Sequence, residues 1–346
     1  MEKLFAADIL SKRERVERTL RHQAVDRVAL HDQLSYSASV ISHYTGRTIN
    51  GFDYTLEDIG CAIRNSLDMC FPMVAPTGTA RVTSPDGFVL QYDNWTTWRV
   101  SRPFTDEHGA RQWLQNRTIA LEKAIFNPNT ARVEFRDFLT SQQALVGETV
   151  ICTFSGTGFC DVFDCMGLEI FTFFMEEYPD DMTEYMELST QAAVNHANAA
   201  ADISLTPVVL IPEDFATKQG PIFRPDFLNK YHFPYVKRLT RAWHDHGITV
   251  LYHSDGNYKK VVPDLMECGV DGFYCLEPAV GMDIVELKNT WPQMVWAGGI
   301  DGVDVMELGT PQMVKDQVTK HITETNALQT GGMFVATSSE INPPVI

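Results

Sequence analysis

The sequence predicts an α/β fold: a (β/α)8 TIM barrel with an N-terminal helix and a β-hairpin insertion. Three observations carry that expectation. Short apolar runs end abruptly in polar groups, several times along the chain. Val250-Leu-Tyr-His-Ser-Asp-Gly-Asn257 ends in a histidine, an aspartate and a glycine turn, and Val208-Val-Leu-Ile-Pro-Glu-Asp214 ends in two carboxylates. A buried parallel strand that delivers polar groups to the mouth of a barrel has this form. Helical patterns fall between the runs, as a parallel sheet requires. From the fourth run onward the spacing is about 25 to 45 residues, the length of one βα unit.

The elements follow in order. Residues 11–22 read as the first helix, with Ser11 as N-cap and Glu14 three residues later as its capping-box partner. Val16 and Leu20, four apart, share its inner face. Strand one falls in residues 26–32 and strand two in 67–73. Residues 81–98 alternate apolar and polar around Pro85-Asp-Gly87, which predicts a hairpin beside the barrel mouth. Strand three falls in 149–154, ahead of the glycine turn Ser155-Gly-Thr-Gly158. Strands four to eight occupy 208–214, 250–257, 272–278, 295–301 and 333–340. Helices are expected over 180–198, over 225–246 with Gly247 as the stop, over 257–268, and from the Thr310 N-cap with Pro311 behind it. No Gly/Ser linker interrupts the pattern, so residues 1–346 read as one domain. Only Ile341-Asn-Pro-Pro-Val-Ile346 follows strand eight, where a barrel normally places a last helix. That helix is expected to be missing from this chain or supplied otherwise.

Bulk properties exclude some functions. Hydrophobic residues make up 44% and charged residues 21%, enough for a sizeable core. The net charge is −17, from 45 acids against 28 bases. Such a surface argues against binding nucleic acid or an anionic membrane. No apolar run approaches the roughly 18 residues of a membrane span, and the N-terminus lacks a secretory apolar stretch. Seven scattered cysteines without a Cys-x-x-Cys fit a reduced cytoplasm, with Cys70, Cys152 and Cys268 as core thiols. A cytoplasmic protein is the expectation.

Barrel logic places chemistry at the C-terminal ends of strands. On this sequence those positions are Asp32, Asp68, Glu213, Asp214, His253, Asp255, Glu277, Asp301, Ser338, Ser339 and Glu340. A histidine among carboxylates suits zinc, which needs about three protein ligands and one open position. Plainer roles compete: a strand-end histidine is often a bonded core residue, Asp301 fits a helix cap, and the serines fit a turn. Convergence favours chemistry, because four neighbouring strands end in ionisable groups and packing alone does not require that. A P-loop, a dinucleotide fingerprint and a nucleophile elbow are all absent from the sequence. Trp95, Trp98, Phe159 and Phe163 would suit the lining of an apolar pocket, but packing in the core or the hairpin is the expectation.

Several segments together carry a family resemblance: Arg13-Glu-Arg-Val-Glu-Arg-Thr-Leu-Arg-His22 with Asp26-Arg-Val28, Met166-Gly-Leu-Glu169, Glu213-Asp-Phe-Ala-Thr-Lys-Gln-Gly220, His253-Ser-Asp-Gly-Asn257, Gly269-Val-Asp-Gly272, Gly298-Gly-Ile-Asp301 and Gly309-Thr-Pro311. The chain resembles the uroporphyrinogen decarboxylase superfamily. That resemblance implies a TIM barrel and one of two chemistries, porphyrinogen decarboxylation or cobalamin-linked methyl transfer. The decarboxylases carry an arginine-rich stretch after strand one to hold their substrate's carboxylates. Here that place reads His31-Asp-Gln-Leu-Ser-Tyr36, without arginine, although Asp68 stands roughly where that branch keeps its key aspartate. The thiol-methylating branch holds zinc with His-x-Cys on strand five and a later cysteine near strand eight. Here His253 remains, Asp255 replaces the first cysteine, and Ser338 or Ser339 stands near the second. Both of those sulfur ligands are gone, which points away from thiol activation.

The resemblance therefore implies the first methyltransferase of a corrinoid O-demethylase. Its donor would be a small methylated substrate, often an aromatic methyl ether, and its acceptor cobalamin on a separate corrinoid protein. His253 and Glu277 are the leading metal ligands, with Glu213 or Glu340 as a third and zinc as the metal. Asp255 is either a direct ligand or the group that orients the imidazole. Asp68, Asp214 and Asp255 are the acid/base candidates. Decarboxylation of a carboxylated substrate and a non-catalytic barrel that binds a corrinoid carrier are the alternatives. A homodimer is compatible with all three.

Overall fold

A computed structural model describes residues 4–33, 37–75, 78–93 and 96–338. The chain opens on the helix Lys12–Leu20, where the Ser11 hydroxyl accepts the Glu14 N–H as expected. In chain order the strands are β1 (Ala29–Leu30), β2 (Met69–Cys70), β3 (Ala80–Thr83), β4 (Val89–Asp93), β5 (Thr96–Ser101), β6 (Val150–Ile151), β7 (Thr153–Phe154), β8 (Val208–Pro212), β9 (Ala216–Thr217), β10 (Gly220–Pro221), β11 (Thr249–His253), β12 (Gly272–Tyr274), β13 (Val295–Ile300) and β14 (Met333–Thr337).

Seven of these form one curled parallel sheet in the order β1-β14-β13-β12-β11-β8-β7. The eight-stranded barrel expected from the sequence is seen in part, as this curled sheet and a shorter pair beside it. β2 and β6 form a two-stranded parallel pair; the His31–Met69 bridge and a bond from the Asp68 N–H to the Leu30 carbonyl link it to β1, and β6 runs through Cys152 into β7. The pair is short for a local reason. β1 and β2 are two residues each, and Pro72 follows β2 almost at once, removing a donor that a longer ladder would use.

The strands are apolar on both faces, with a period of two. Val208, Leu210, Leu251, Val295 and Ala297 point inside the curl, where they pack with Tyr274 and Phe334. Val209, Ile211, Val250, Phe273 and Trp296 point outward onto Phe233, Leu239, Trp243 and Leu265 of the covering helices. Cys70, Cys152 and Cys268 are buried thiols.

Four further departures from the sequence expectation have physical causes. The hairpin is a three-stranded antiparallel meander, β3-β4-β5, because the alternation continues past Asp93 into residues 96–101. Trp98 on β5 is 58% exposed rather than packed, while Trp95 lies outside the described residues. The helix expected over 225–246 is two helices, Pro225–Tyr231 and Phe233–His244, because Pro234 cannot continue the hydrogen-bond ladder across His232. Two long helices not anticipated from sequence, Glu107–Lys123 and Pro128–Val146, bracket the layer beside Pro179–Ala200, each started by a side-chain cap on Asp106 or Asn127. Residues 339–346 lie outside the described residues. Among the described residues no helix is long and apolar enough to cross a membrane.

Candidate functional site

Register brings the strand ends together. β11 pairs with β8 on one side and β12 on the other, so His253 sits opposite Pro212 and Tyr274. Asp214, His253, Asp255, Cys275 and Glu277 therefore meet at the C-terminal rim of the sheet. The His253 Nε2 lies 3.3 Å from the Asp214 Oδ1 and 4.0 Å from the Asp255 Oδ1. The Asp255 N–H donates to the same Asp214 oxygen at 3.0 Å. The Cys275 thiol donates to the Asp255 Oδ1 at 3.1 Å and also meets the Ser338 carbonyl.

Two backbone features hold this arrangement. Cys275 has a φ of +71°, in the left-handed region that non-glycine residues rarely enter. Such a conformation costs on the order of 1–3 kcal/mol and persists where surrounding structure enforces it, often at functional sites. Gly256 has a φ of +76°, and a Cβ there would lie 2.7 Å from the Thr217 carbonyl oxygen. Only glycine lets the β9–β10 ribbon press this closely on the loop after β11. The Gly256 N–H then donates to the Glu277 Oε1 at 2.7 Å.

Charge is shared unevenly across the group. Burial works against a charged His253, but the hydrogen bond and charge of Asp214 outweigh it and raise the imidazole pKa above its ordinary value. Burial would likewise raise Asp214, yet the His253 contact holds its carboxyl below the usual range. Burial, then the nearby Asp255 charge, pushes the Cys275 thiol well up. A cation placed among these groups would reverse that last effect, since a coordinating thiol gives up its proton.

His253, Asp255 and Cys275 offer ligand atoms that all lie within 4.8 Å of one another. One nitrogen, one oxygen and one sulfur make a donor set that zinc accepts, and three protein ligands leave a position open. Cys275 was missed in the sequence. It stands one residue beyond β12, and the charged Glu277 two residues later drew the assignment instead. The available signal was the strand Gly272-Phe-Tyr-Cys-Leu-Glu277 itself, which offers a soft donor at its tip.

The other candidates occupy different places. Glu213 is buried and both its oxygens are engaged: Thr157 donates from N and Oγ1 at 3.0 and 2.6 Å, and the Cys160 N–H donates at 2.8 Å. It pins the turn Ser155-Gly-Thr-Gly158 and the start of the helix Phe159–Met166, and it stands outside the compact donor group. Glu277 holds the Gly256 backbone. Asp68 precedes β2 and so lies on the opposite rim, where Arg15 and Arg27 grip it at 2.9 and 2.6 Å. Asp68 was expected at the C-terminal end of a strand, but it begins its strand instead. Asp301 caps the turn Gly302–Glu307 through the Val303 and Asp304 N–H groups. The Ser338 hydroxyl accepts the Gly302 N–H. Ser339 and Glu340 lie outside the described residues. Asp32 accepts the Thr337 hydroxyl at 2.6 Å, and burial raises its pKa to about 6.

Aromatic rings surround the rim. Tyr274 meets His31 and Phe71 edge-on at 5.0 and 5.5 Å and lies beside His253 at 5.5 Å. Phe71 is tilted against Phe154 at 4.8 Å. Phe159 and Phe163 pack with Phe171 and Phe223 away from these residues.

Residues 139–345, more than half of the chain, match the Uroporphyrinogen decarboxylase (URO-D) family. The chain belongs to that family. A methyltransferase from Methanosarcina mazei superposes with a TM-score of 0.63 at 16% identity, over 97% of this chain and 95% of that one. At that identity the likeness is one of fold. A 2,3-dimethylmalate lyase of the PEP mutase/isocitrate lyase superfamily superposes with a TM-score of only 0.32 at 9% identity, over 95% of this chain and 79% of that one. No curated protein matches the sequence.

Proposed function

We propose that this chain is a methyltransferase that moves a methyl group from a small methylated donor to the cobalt of a corrinoid carried by a separate protein. The observation that carries the reading is the compact donor group of His253, Asp255 and Cys275 at the C-terminal rim, beside aromatic rings. The fold shared with a methyltransferase supports it. So does the loss of the arginines that the decarboxylases use, since this rim presents carboxylates and would repel a polyanionic porphyrinogen.

His253, Asp255 and Cys275 would hold a zinc ion. Bound there, zinc would act as a Lewis acid toward an oxygen of the donor. The protein's own residues set the geometry. Asp214 lies 3.3 Å from the imidazole Nε2, and the ring sits beside Tyr274. Asp255 is tied to Asp214 through its backbone, so imidazole and carboxylate move as one unit. The left-handed backbone at Cys275 aims the thiol at that unit.

Elemental analysis of the purified full chain, compared with His253→Ala and Cys275→Ser, tests the metal part. The expected result is zinc in the natural protein and its loss from both variants, with methyl transfer to reduced cobalamin lost in parallel. Equal metal content in all three proteins would defeat the assignment.

A further inference from the structure

Tyr274 ends β12, and its ring reaches into the interior of the curled sheet. The residue is 1% exposed. Buried hydroxyls are nearly always bonded, because an unmet one costs roughly 1–3 kcal/mol. The Tyr274 hydroxyl has no hydrogen-bond partner for its proton among the described residues. The group facing it from Gln33 is a backbone N–H, itself a donor, and the nearby Asp32 carboxylate accepts the Thr337 hydroxyl through its Oδ1. Among the described residues a buried donor is thus left without an acceptor, within the ring of groups that form the rim.

A second observation points to a planar guest. Phe154, at the end of β7, is 47% exposed, and Phe71 lies against it at a tilt of 36°. A large ring left open at a strand tip offers a face rather than filling a core.

Resting on the methyl-transfer reading, we propose that Tyr274 donates a hydrogen bond to the oxygen of an aromatic methyl ether whose ring lies against Phe71 and Phe154. The cobalt(I) electron pair of the corrinoid forms the new bond to the methyl carbon. The carbon–oxygen bond breaks with its pair going to oxygen, and the product is a phenolate that later takes a proton from solvent. Negative charge grows on the oxygen that the hydroxyl addresses, so the bond strengthens in the transition state. A quaternary ammonium donor has no lone pair and would leave the hydroxyl unmet.

Tyr274→Phe removes one oxygen and keeps the ring. The test uses the full chain with cob(I)alamin as acceptor and a series of ring-substituted anisoles as donors. For unsubstituted anisole the expected loss in kcat is about 100-fold, the low end for a lost oxyanion donor. The loss should shrink for nitro-substituted anisoles, whose phenolates need less help, so the dependence on leaving-group acidity steepens. Unchanged rates, an equal loss across the series, or faster transfer from tetramethylammonium than from anisole would each overturn the proposal. Binding of 4-nitrophenolate gives a readout without turnover: its absorption should shift on the natural protein and not on Tyr274→Phe. Identical spectra with the two proteins also overturn it. Methyl transfer that proceeds normally in Tyr274→Phe sinks this inference alone, whereas a natural protein that transfers no methyl group sinks the underlying reading with it.

Discussion

Cys275 and Asp214 differ in what they would do for a bound metal. Cys275 presents a donor atom, while Asp214 contacts the donor nitrogen of His253 and the backbone of Asp255. A zinc ion on the His253 Nε2 would displace Asp214 from that nitrogen and leave it to position Asp255 through the backbone; Asp214→Asn keeps the size of the side chain and removes its charge. Groups that orient metal ligands typically contribute 10- to 100-fold in affinity. Zinc titration against a competing chelator should therefore show about a 10- to 100-fold weaker site in Asp214→Asn. Cys275→Ser should lose more than that, because the only sulfur of the donor group is gone. A Cys275→Ser protein that binds zinc as well as the natural one would remove sulfur from the site. The sequence displayed His253 and Asp255 plainly, since both follow an apolar run within one short motif. It concealed Cys275, whose role depends on a left-handed turn just past β12 and on a register with β11 that no local pattern displays.

At the scale of elements, the β9–β10 ribbon and the loop after β11 form one structure. The Asn257 N–H donates to the Thr217 carbonyl, and Gly256 fits beneath that strand only because it lacks a side chain. Gly256→Ala places a methyl group against the carbonyls of Ala216 and Thr217 and strains a positive φ, which alone costs about 1 kcal/mol. The loop must move, and the Glu277 bond to the Gly256 N–H goes with it. Metal affinity should fall in this variant while the melting temperature drops by only a few degrees. Unaltered affinity would separate the ribbon from the site. Strands four to eight were legible because each is a long apolar run closed by polar residues. β1 and β2 were legible as strands but not as weak ones. Pro72 limits β2, but the single bridge between β1 and β2 is a property of pairing rather than of either segment. The break at His232 was hidden for a related reason: helical periodicity continues across Pro234 although the hydrogen bonds do not.

Across the whole molecule the two rims divide their work. The C-terminal rim gathers His253, Asp255 and Cys275. The N-terminal rim holds a buried ionic knot in which Arg15 bonds Asp26 and Asp68, and Arg27 bonds Asp8 and Asp68. It ties the first helix to the starts of β1 and β2, as bottom-face contacts of barrels serve stability. Burial alone would raise Asp8 and Asp26, but the guanidinium groups of Arg27 and Arg15 hold both below the ordinary aspartate range. The folded chain therefore binds fewer protons here than the unfolded chain. The stabilisation is present above the unfolded value of about 3.9 and disappears as pH falls through the folded values. Urea midpoints measured from neutral pH down to about pH 3 should fall steeply at the acid end. Arg15→Met should lower stability at neutral pH by about 3–5 kcal/mol and flatten the acid dependence, since it leaves buried carboxylates uncompensated. An acid limb that keeps its slope in Arg15→Met would place the acid sensitivity elsewhere.

The rim group is the core of the functional reading, and methyl transfer to cobalt tests it most directly. Reduced cob(I)alamin mixed with the purified chain and an aromatic methyl ether should convert to methylcobalamin, followed by absorption, and His253→Ala should abolish the conversion without unfolding the protein. Conversion at an equal rate with His253→Ala, or none by the folded, zinc-loaded natural chain across a broad set of methyl ethers, would contradict the account.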